Sequence, residues 1–552
     1  MSKKQGARKP VPVVPKPLKP HVSVWDRIEQ SLEKKQLVLE ISLCTLFILF
    51  ALLLFDVKIS VGSDDSAYIE RGYNLLKEGI IPFFQGPLYP TMLSVFIGIF
   101  GINIVALKFV SFFVAVLQQV VLFFVLRKRI PNVVLFLFLF FIATNGFIQF
   151  YSSQTYTEAF FLFLQAITMY FVFHILDREN EGRIIKDYKG WIMVGLMIML
   201  LSLCKSVAIV CFIPLILYFL IKRKWLNAGL AFGSYLFWKI VYEVGMRVFY
   251  QAPDIGQFKQ NLLKDFYKPS EGYEDLAGLV ARFMANVHTY FSMQIFRILE
   301  LRSPTDYLII PPLSYLVGAL LIACVVYLYK KNKYLFFIGI YTMILYGGIF
   351  IGIQANNMQD RLIIIAIPFT YLIIASTGYY LSKRYSALGI PIILFFVILT
   401  FAQLGNTLRA SVKNIHVLKK NLKGDIYYGF TDDWSNYLKM SRWCADSLPP
   451  SSYVACRKAS MSFVYGKGKK FFGINVVRTT DPDSVLADLK SHKVTHVLVA
   501  NLRKNPTVNN GQVVNTLQRM LYPVYTKYPQ KLKHIKNIGE NTEPADVYEI
   551  LY

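Results

Sequence analysis

Two adjacent carboxylates, Asp64 and Asp65, follow the first long apolar run of the chain and precede an amphipathic stretch. Acids at the edge of a bilayer are costly unless water or a cation compensates their charge, and a carboxylate placed there can act as a general base. A structural role is the alternative, in which Ser63 and Asp64 cap a helix over 66–77 that Gly79 ends. The two roles are compatible, because a helix N-terminus favours an ionised aspartate.

Three further charges, Glu158, Lys205 and Arg361, each stand at the end of an apolar run. Each has a structural alternative. Glu158 could close a capping box with Thr155, Lys205 could be a lysine that reaches water from a turn, and the third charge could simply end a helix at the interface. The predicted topology puts all three on the side of the aspartate pair. A carboxylate base beside fixed cations is what transfer from a phosphate-linked donor needs.

The composition is that of a membrane protein with many spans. Of the 552 residues, 55% are hydrophobic, and the mean hydropathy is +0.42. Together with long uncharged runs, these values exclude an ordinary soluble protein. The net charge of +26 does not indicate a nucleic-acid partner, because the basic residues cluster directly after apolar runs, as they do on the cytoplasmic side of membranes. The clusters lie at 127–129, 222–224, 330–331 and 383–384.

Apolar runs of about 20 residues predict eleven membrane helices within a polytopic domain over 36–406. Residues 1–35 are predicted to be a disordered basic cytoplasmic tail, and the run 37–55 a signal anchor. Outer loops are predicted at 57–104 and 250–306, the first containing a run at 88–100 that is too short to span and is predicted to be re-entrant or interfacial. The helices are predicted at 37–56, 105–126, 132–150, 157–175, 190–204, 206–221, 226–249, 307–329, 334–354, 361–382 and 386–405.

Beyond residue 406 the composition becomes that of a soluble domain. Short buried strands are predicted at 452–456 and 495–500, with an Asp-capped amphipathic helix at 481–492 between them. Strands that alternate with helices indicate a small α/β domain over 407–552 with a core of its own. Eleven crossings from a cytoplasmic N-terminus place it outside. The predicted fold class is therefore an all-α polytopic membrane domain of about eleven helices with a small C-terminal extracytoplasmic α/β domain.

The cysteines and the absence of glycosylation sequons give information about the cellular membrane in which the protein resides. Cys444 and Cys456 lie in the predicted outer domain, and the sequence leaves open whether they form a disulfide. No Asn-x-Ser/Thr sequon occurs, because Pro506 follows Asn505, which favours a bacterial inner membrane over an endoplasmic reticulum. Walker A, dinucleotide-binding and His-Glu-x-x-His motifs are absent, and the seven histidines show no ligand spacing. The sequence therefore names no cofactor and leaves a divalent metal open, while ATP-driven transport is unsupported.

The motifs occur in an order that resembles a known class of membrane enzymes. In chain order they are the pair Asp64-Asp65, Tyr68, an amphipathic helix, Pro-Leu-Tyr-Pro at 87–90, Glu158 after Ser-Ser and Thr, Lys205 between two apolar runs, and Arg361 before Leu-Ile-Ile-Ile-Ala-Ile-Pro. This order resembles the GT-C class of integral-membrane glycosyltransferases, and most closely its branch of protein mannosyltransferases and lipid A aminoarabinose transferases. The resemblance covers about residues 37–405, and the joint order of short motifs carries it.

The resemblance implies a polyprenyl-phosphate-linked sugar as donor, with transfer at the outer face of the membrane. The acceptor would be a lipid, a glycan or a protein. Asp64 would match the catalytic acid of the class's Asp-[Asp/Glu]-x-x-Tyr pattern, with Asp65 as its neighbour and Tyr68 as a substrate-binding residue. One departure concerns Gln85, which stands before the Pro-rich turn where some relatives carry a basic residue. That difference argues against aminoarabinose as the sugar.

The same resemblance implies roles for Glu158, Lys205 and Arg361. Glu158 would match the acid of the second outer loop, and the two cations would match basic residues near the donor phosphate. The predicted function is therefore inverting sugar transfer with an Asp general base. A transporter or flippase of lipid-linked saccharides is the alternative from another class, and an oligosaccharide ligase or polymerase would accept a whole glycan. A transporter would place its charges along a path near the middle of the bilayer, whereas these charges lie at helix ends.

Overall fold

The computed structural model describes residues 24–83, 86–179, 187–250, 260–265, 271–303, 305–355, 359–504, 512–540 and 542–552. Several sequence predictions fall partly or wholly outside these ranges. They are the first part of the tail 1–35, the departure at Gln85, parts of the outer loop 250–306 and the excluded sequon at Asn505.

The membrane part is a bundle of helices whose bounds follow the apolar runs. In chain order the helices are α1 (Val24–Lys34), α2 (Gln36–Leu53), α3 (Asp64–Glu78), α4 (Leu88–Phe100), α5 (Ile104–Leu126), α6 (Asn132–Thr144), α7 (Gly146–Ser152), α8 (Thr157–Asp177), α9 (Tyr188–Cys204), a 3-10 turn (Ser206–Phe212), α10 (Ile213–Ile221), α11 (Trp225–Tyr250), α12 (Leu276–Thr289), a π turn (Tyr290–Gln294), α13 (Ile295–Ile298), α14 (Pro311–Leu328), α15 (Lys333–Gly352), α16 (Arg361–Ile364), α17 (Ile367–Arg384) and α18 (Ser386–Leu422).

Helices occupy all eleven places predicted for membrane spans. Within the described ranges, six are long and apolar enough to cross a bilayer, namely α2, α5, α8, α14, α15 and α18. A seventh span results if α6 and α7, which meet at 62°, are taken together. The remaining positions hold helices that are shorter, broken or more polar, so the structure supports a polytopic bundle with fewer uninterrupted spans than predicted. The run at 88–100 forms α4, which has 13 residues and packs against α3.

The basic clusters gather at the end of the bundle opposite to Asp64. Arg129 pairs with Asp177 at 2.6 Å, and Asn332 donates to the backbone carbonyl of Arg129 at 2.7 Å. Lys383 pairs with Asp26 at 2.8 Å. Because these residues follow or precede different helices, the contacts show that one end of the bundle is basic, as the clusters in the sequence predicted.

The prediction of a disordered tail up to residue 35 is wrong for its last part, because residues 24–34 form helix α1. Trp25 packs edge-to-face on Tyr379 with ring centroids 5.6 Å apart. The carboxylate of Glu29 accepts the backbone N–H groups of Asn132 and Val133 at 2.7 and 3.2 Å, which satisfies the start of α6. The basic composition of the N-terminal segment suggested disorder, although its last residues form the amphipathic helix α1, which packs on the bundle.

The last helix of the membrane part continues far beyond the bilayer. α18 has 37 residues, or about 55 Å at 1.5 Å per residue, whereas the hydrocarbon core is about 30 Å thick. The domain boundary predicted at 406–407 therefore lies inside a continuous helix. The change of composition there marks the point where the helix leaves the apolar layer.

The C-terminal part is the small α/β unit predicted from the sequence. Its elements are α19 (Asp432–Ser447), β1 (Val454–Cys456), α20 (Ala459–Tyr465), β2 (Phe471–Gly473), α21 (Pro482–Ser491), β3 (His496–Ala500), β4 (Leu502–Arg503), β5 (Val513–Val514), α22 (Thr516–Lys527), a 3-10 turn (Pro529–Lys531), β6 (Leu532–Ile538) and β7 (Ala545–Ile550). The main sheet has the order β2-β1-β3-β7-β6, parallel from β2 to β3 and antiparallel beyond it. Asp481 caps α21 by accepting from the backbone of Ser484 at 2.9 Å, as predicted. Cys444 and Cys456 are buried free thiols.

The C-terminal part contributes to two apolar cores, and only one of them is formed entirely by its own residues. In that core, α21 and α22 pack on one face of the sheet. The other core joins the C-terminal part to the segment that begins before α3 and includes α3 and α4. Its members include Ile59, Tyr68, Ile69, Tyr89 and Leu93 from that segment, and Trp434, Tyr437, Phe463 and Val547 from the C-terminal part. The expectation of a wholly separate core is therefore only half right.

The structure generates a prediction about orientation. A reporter that is active only outside the cytoplasm should be active when fused after Gly424, because α18 has ended there, and silent when fused after Lys224 at the basic end of the bundle. Reporter activity in cells, normalised to protein level, measures both fusions. The opposite pair of results would put the acidic residues near Asp64 on the cytoplasmic face.

Candidate active site

The two adjacent aspartates have different environments. Asp65 is fully buried, and its carboxylate accepts the backbone N–H groups of Ser60 at 2.7 Å and Ser66 at 2.8 Å. Burial raises the pKa of Asp65 to about 7, although the two backbone bonds lower it. Asp65 thus ties the turn over 60–63 to the first turn of α3. The predicted side-chain cap is wrong, since α3 begins at Asp64 and Ser63 makes no capping bond, whereas the predicted stop at Gly79, with φ +68°, is confirmed.

Asp64 is the accessible member of the pair. Its side chain is 30% exposed, and its carboxylate accepts a hydrogen bond from the guanidinium of Arg361. Arg361 also donates to Gln359 at 2.7 Å, and its guanidinium lies 4.8 Å from the centroid of the Tyr156 ring. The structure therefore brings together two residues that are 297 positions apart in the chain.

Glu158 and Lys205 form a second ion pair beside the first. The carboxylate of Glu158 is fully buried and accepts from the ammonium of Lys205 at 2.7 Å, whose side chain is 13% exposed. The capping-box alternative is wrong, because α8 begins at Thr157 without a capping bond. Lys205, which ends α9, pairs with Glu158, so it is not simply a lysine that extends its ammonium into water. Gly86, at φ +85°, lies so close that an added Cβ would stand 2.2 Å from the carbonyl oxygen of Cys204, so the Pro-rich turn is pressed against this helix end.

Tyr68 interacts electrostatically with members of both ion pairs. Its ring is buried and packs edge-to-face on Tyr89 with centroids 5.4 Å apart. Burial raises the pKa of Tyr68 well above its usual value, and the charge of Asp64 raises it further. Glu158 and Arg361 also act on this phenol, with opposite signs. The predicted residues Asp64, Tyr68, Glu158 and Arg361 thus interact electrostatically with one another, and Lys205 joins them through its ion pair with Glu158. Only Asp65 faces away.

Sequence reasoning missed a cation on the same face of α3. The guanidinium of Arg71 lies 5.9 Å from the centroid of the Tyr68 ring, and it also interacts electrostatically with Asp64. A helical signal could have found it, because residues three and seven apart share one helix face. A second missed cation, Lys458, comes from the C-terminal part, and no local pattern points to it.

The site holds no cluster suited to a metal ion. Among the residues that the structure describes, no group of three or more His, Cys, Asp or Glu side chains is close enough to share one. The described side chains place an accessible carboxylate, Asp64, beside the cations Arg361 and Arg71. Such a set can accept a proton from a nucleophile and stabilise an anionic leaving group.

Comparisons with known proteins agree with this architecture. Residues 84–242 match the family model described as dolichyl-phosphate-mannose-protein mannosyltransferase. The fold is similar to the crystal structure of ArnT from Cupriavidus metallidurans bound to undecaprenyl phosphate, with a TM-score of 0.54 and 12% identity over 93% of this chain and 98% of that one. The apo form of ArnT gives 0.52 and 10% identity over 94% and 98%.

A weaker likeness links the chain to the archaeal oligosaccharyltransferase AglB from Archaeoglobus fulgidus, with a TM-score of 0.47 and 12% identity over 84% of this chain and 69% of that one. No curated protein matches the sequence significantly. The family-model match and the likeness to ArnT confirm the GT-C resemblance stated from the sequence. The chain is an integral membrane protein with the GT-C fold.

The ion pair of Glu158 and Lys205 generates a stability prediction. The single change Lys205→Met leaves a fully buried carboxylate without its partner, which costs about 3–5 kcal/mol in comparable buried pairs. The double change Glu158→Gln with Lys205→Met removes both charges. We therefore expect the single variant to lose more thermal stability than the double variant, measured by unfolding of the detergent-purified protein. Equal losses would show that the two charges are not coupled.

Proposed function

We propose that this protein transfers a sugar from a polyprenyl-phosphate donor to an acceptor hydroxyl or amine at the outer face of the membrane. One observation carries the proposal: the accessible carboxylate of Asp64 pairs with Arg361, and Glu158, which interacts electrostatically with the same guanidinium, holds a second cation, Lys205. The likeness of the fold to ArnT, which was crystallised with undecaprenyl phosphate, supports a lipid-phosphate ligand. The resemblance noted in the sequence supports the same reaction.

In the proposed step, the acceptor oxygen or nitrogen attacks the anomeric carbon of the donor sugar. Asp64 takes the proton of the acceptor as the new bond forms. The bond between the anomeric carbon and the phosphate oxygen breaks, and its electron pair leaves with the lipid phosphate. Attack opposite to the leaving phosphate inverts the anomeric centre. Arg361 and Lys205 would stabilise the charge that grows on the phosphate.

The ion pairs of the structure fit this role. Arg361 donates to Asp64, and Lys205 donates to Glu158. A phosphate is an equivalent anionic acceptor for a guanidinium or an ammonium. A bound donor phosphate would therefore take the guanidinium from Asp64 and leave that carboxylate free to receive a proton. Glu158 would keep the lysine in place, because the buried acid retains a strong attraction for it.

The remaining predicted residues have supporting roles. Tyr68 would contact the substrate between the two ion pairs, and Arg71 beside it adds positive charge at the edge of the site. Asp65 would hold the turn that presents Asp64 and would not exchange protons with the acceptor, since both its oxygens bind the backbone. A catalytic role for Asp65 itself is therefore not part of the proposal.

The rival functions differ in what they require of this site. A flippase would need charges along a path through the bundle, whereas the paired charges here gather at helix ends. A ligase or polymerase would share the chemistry and differ in the size of the acceptor, so lipid, glycan and protein acceptors all stay within the proposal. The proposed location is a bacterial inner membrane, with the C-terminal part outside.

The change Asp64→Asn tests the proposed base. It keeps size and hydrogen bonding but removes the acceptor for the proton, so turnover should fall by about 100-fold or more. The assay measures release of undecaprenyl phosphate from a panel of undecaprenyl-phosphate-linked hexoses and pentoses, with envelope lipids, glycans and proteins as acceptors. Lys205→Ala and Arg361→Ala should also lower turnover through weaker stabilisation of the phosphate.

Two controls make this test specific. Asp446→Asn removes an exposed aspartate of the C-terminal part that pairs with Arg442 at 2.6 Å, and should leave turnover unchanged. Asp65→Asn should lower thermal stability as well as turnover, because it disturbs two backbone bonds. If Asp64→Asn and Asp65→Asn both keep full turnover, the proposed mechanism is wrong. If the wild type moves lipid-linked sugar across vesicles and releases no lipid phosphate, the flippase takes its place.

A further inference from the structure

The C-terminal part makes direct contact with the helix that carries the candidate base. Helix α20 packs against α3. The hydroxyl of Ser460 donates to Glu70 at 2.5 Å, and Phe463 packs edge-to-face on Tyr73 with ring centroids 5.3 Å apart. These contacts hold the residue just before α20, Lys458, over the start of α3.

Lys458 binds the turn that precedes Asp64. Its ammonium donates to the backbone carbonyl of Val61 at 2.9 Å and lies 3.5 Å from the hydroxyl oxygen of Ser63. Ser63 has φ +68°, a left-handed conformation that is unfavourable for a residue with a side chain and must be held by its surroundings. Asp65 binds the same turn through the N–H of Ser60. The turn is therefore tied by a buried acid of α3 and by a cation from the C-terminal part.

The surroundings of this ammonium are partly buried and strongly charged. The backbone N–H of Lys458 donates to the hydroxyl of Tyr437 at 3.1 Å, and the Nζ atom of Lys458 lies 5.9 Å from the ring centroid of Trp434. Burial lowers the pKa of Lys458 to about 8, and Arg457 lowers it as well, while Asp64 and Asp65 act in the opposite direction. Burial of the ammonium disfavours its charged form, and the bonds to the turn and the attraction of the two aspartates offset this cost.

We propose that Lys458 is a positioning residue for the reaction: it holds the turn over 60–63 so that Asp64 faces the donor phosphate and the acceptor. The C-terminal part thereby completes the site. This inference rests on the proposed function for its effect on turnover, but its effect on the turn stands independently. Lys458 acts through the backbone of Val61 and the side chain of Ser63, and it does not touch the reacting atoms.

The proton of Lys458 gives the proposal a pH signature. Asp65 loses its proton near pH 7, so between about pH 7 and pH 8 the ammonium attracts both aspartates of α3 while it binds the turn. As the pH rises through 8, the amine loses its charge, and the attraction to Asp64 and Asp65 is lost. Arg457 stays charged over this range, so it repels the ammonium without creating the transition itself. The turn should therefore loosen on the alkaline side, and turnover should fall there.

Hydrogen–deuterium exchange of the full chain in detergent tests the effect on the turn. Exchange of peptides that cover 59–66, corrected for the intrinsic rate at each pH, should be about tenfold faster in Lys458→Met at pH 7, as expected for the loss of one charge-assisted hydrogen bond. In the wild type, exchange should accelerate above pH 8. In Lys458→Arg, which keeps its charge, this acceleration should be absent.

A matched control separates this effect from loosening of the whole contact. Lys470 also lies in the C-terminal part and pairs with Glu78 at the far end of α3. Lys470→Met should leave the exchange of 59–66 unchanged. Equal protection of 59–66 in the wild type and Lys458→Met would overturn the proposal, and so would equal loss in Lys470→Met. If Lys458→Met does not fold, the pH series of the wild type and Lys458→Arg decides the matter.

Turnover then tests the link to the reaction. With undecaprenyl-phosphate sugars as donors, Lys458→Met should lower kcat by about tenfold with little change in the KM for the donor, because the misplaced group is the base. Lys458→Arg should keep turnover and lose the decline above pH 8. If the wild type releases no lipid phosphate, the proposed function fails while the exchange result still decides whether Lys458 holds the turn. A normal kcat in Lys458→Met, with faster exchange, would overturn the positioning role.

Discussion

Burial of charge at the end of the helical bundle that carries Asp64 is the constraint on which this site depends. Glu158 is fully buried and meets Lys205 at 2.7 Å, and Asp56 meets the fully buried Lys108 at 2.8 Å. An unpaired ion in such a place would cost several kcal/mol. The partners belong to different helices or loops, so the need for pairing selects how α8, α9, α5 and the segment after α2 are arranged. The same pairing leaves Asp64 and Arg361 together at the surface of the site.

The pairs that stabilise the bundle also explain its proposed chemistry. A cation already held beside a carboxylate is oriented before any substrate arrives, so little reorganisation is needed when a phosphate replaces the carboxylate. In the proposed reaction, the side chains that compensate buried charge would also supply the fixed cations. The two aspartates differ in the same way: the buried Asp65 binds the backbone of the turn, whereas Asp64 stays accessible.

Features set by local sequence were predictable, and those set by distant contacts were not. Gly79 ends α3 and Asp481 caps α21, because glycine and aspartate act on the backbone next to them. The location of Glu158, Lys205 and Arg361 on one side of the bundle followed from counting helices.

Other features were predicted wrongly or were missed. The predicted capping box at Thr155 does not form, because α8 starts two residues later. The different roles of Asp64 and Asp65 depend on the turn over 60–63, and Lys458 depends on how the C-terminal part docks. The end of α18 was misplaced because polarity marks where a helix leaves the membrane and does not mark where it stops.

The continuity of α18 restricts how a ligand can arrive. This helix runs from the basic end of the bundle into the C-terminal part without a flexible connection. The segment that follows it is tied down as well: Asn421 bonds the carbonyls of Asp425 and Tyr428 and accepts from Val57, and Lys58 donates to Gly429. With α20 also packed on α3, the described residues tie the C-terminal part to the bundle at several separate points. For the proposed lipid-linked donor, these ties favour entry sideways from the bilayer, between helices, over entry beneath a moving C-terminal part.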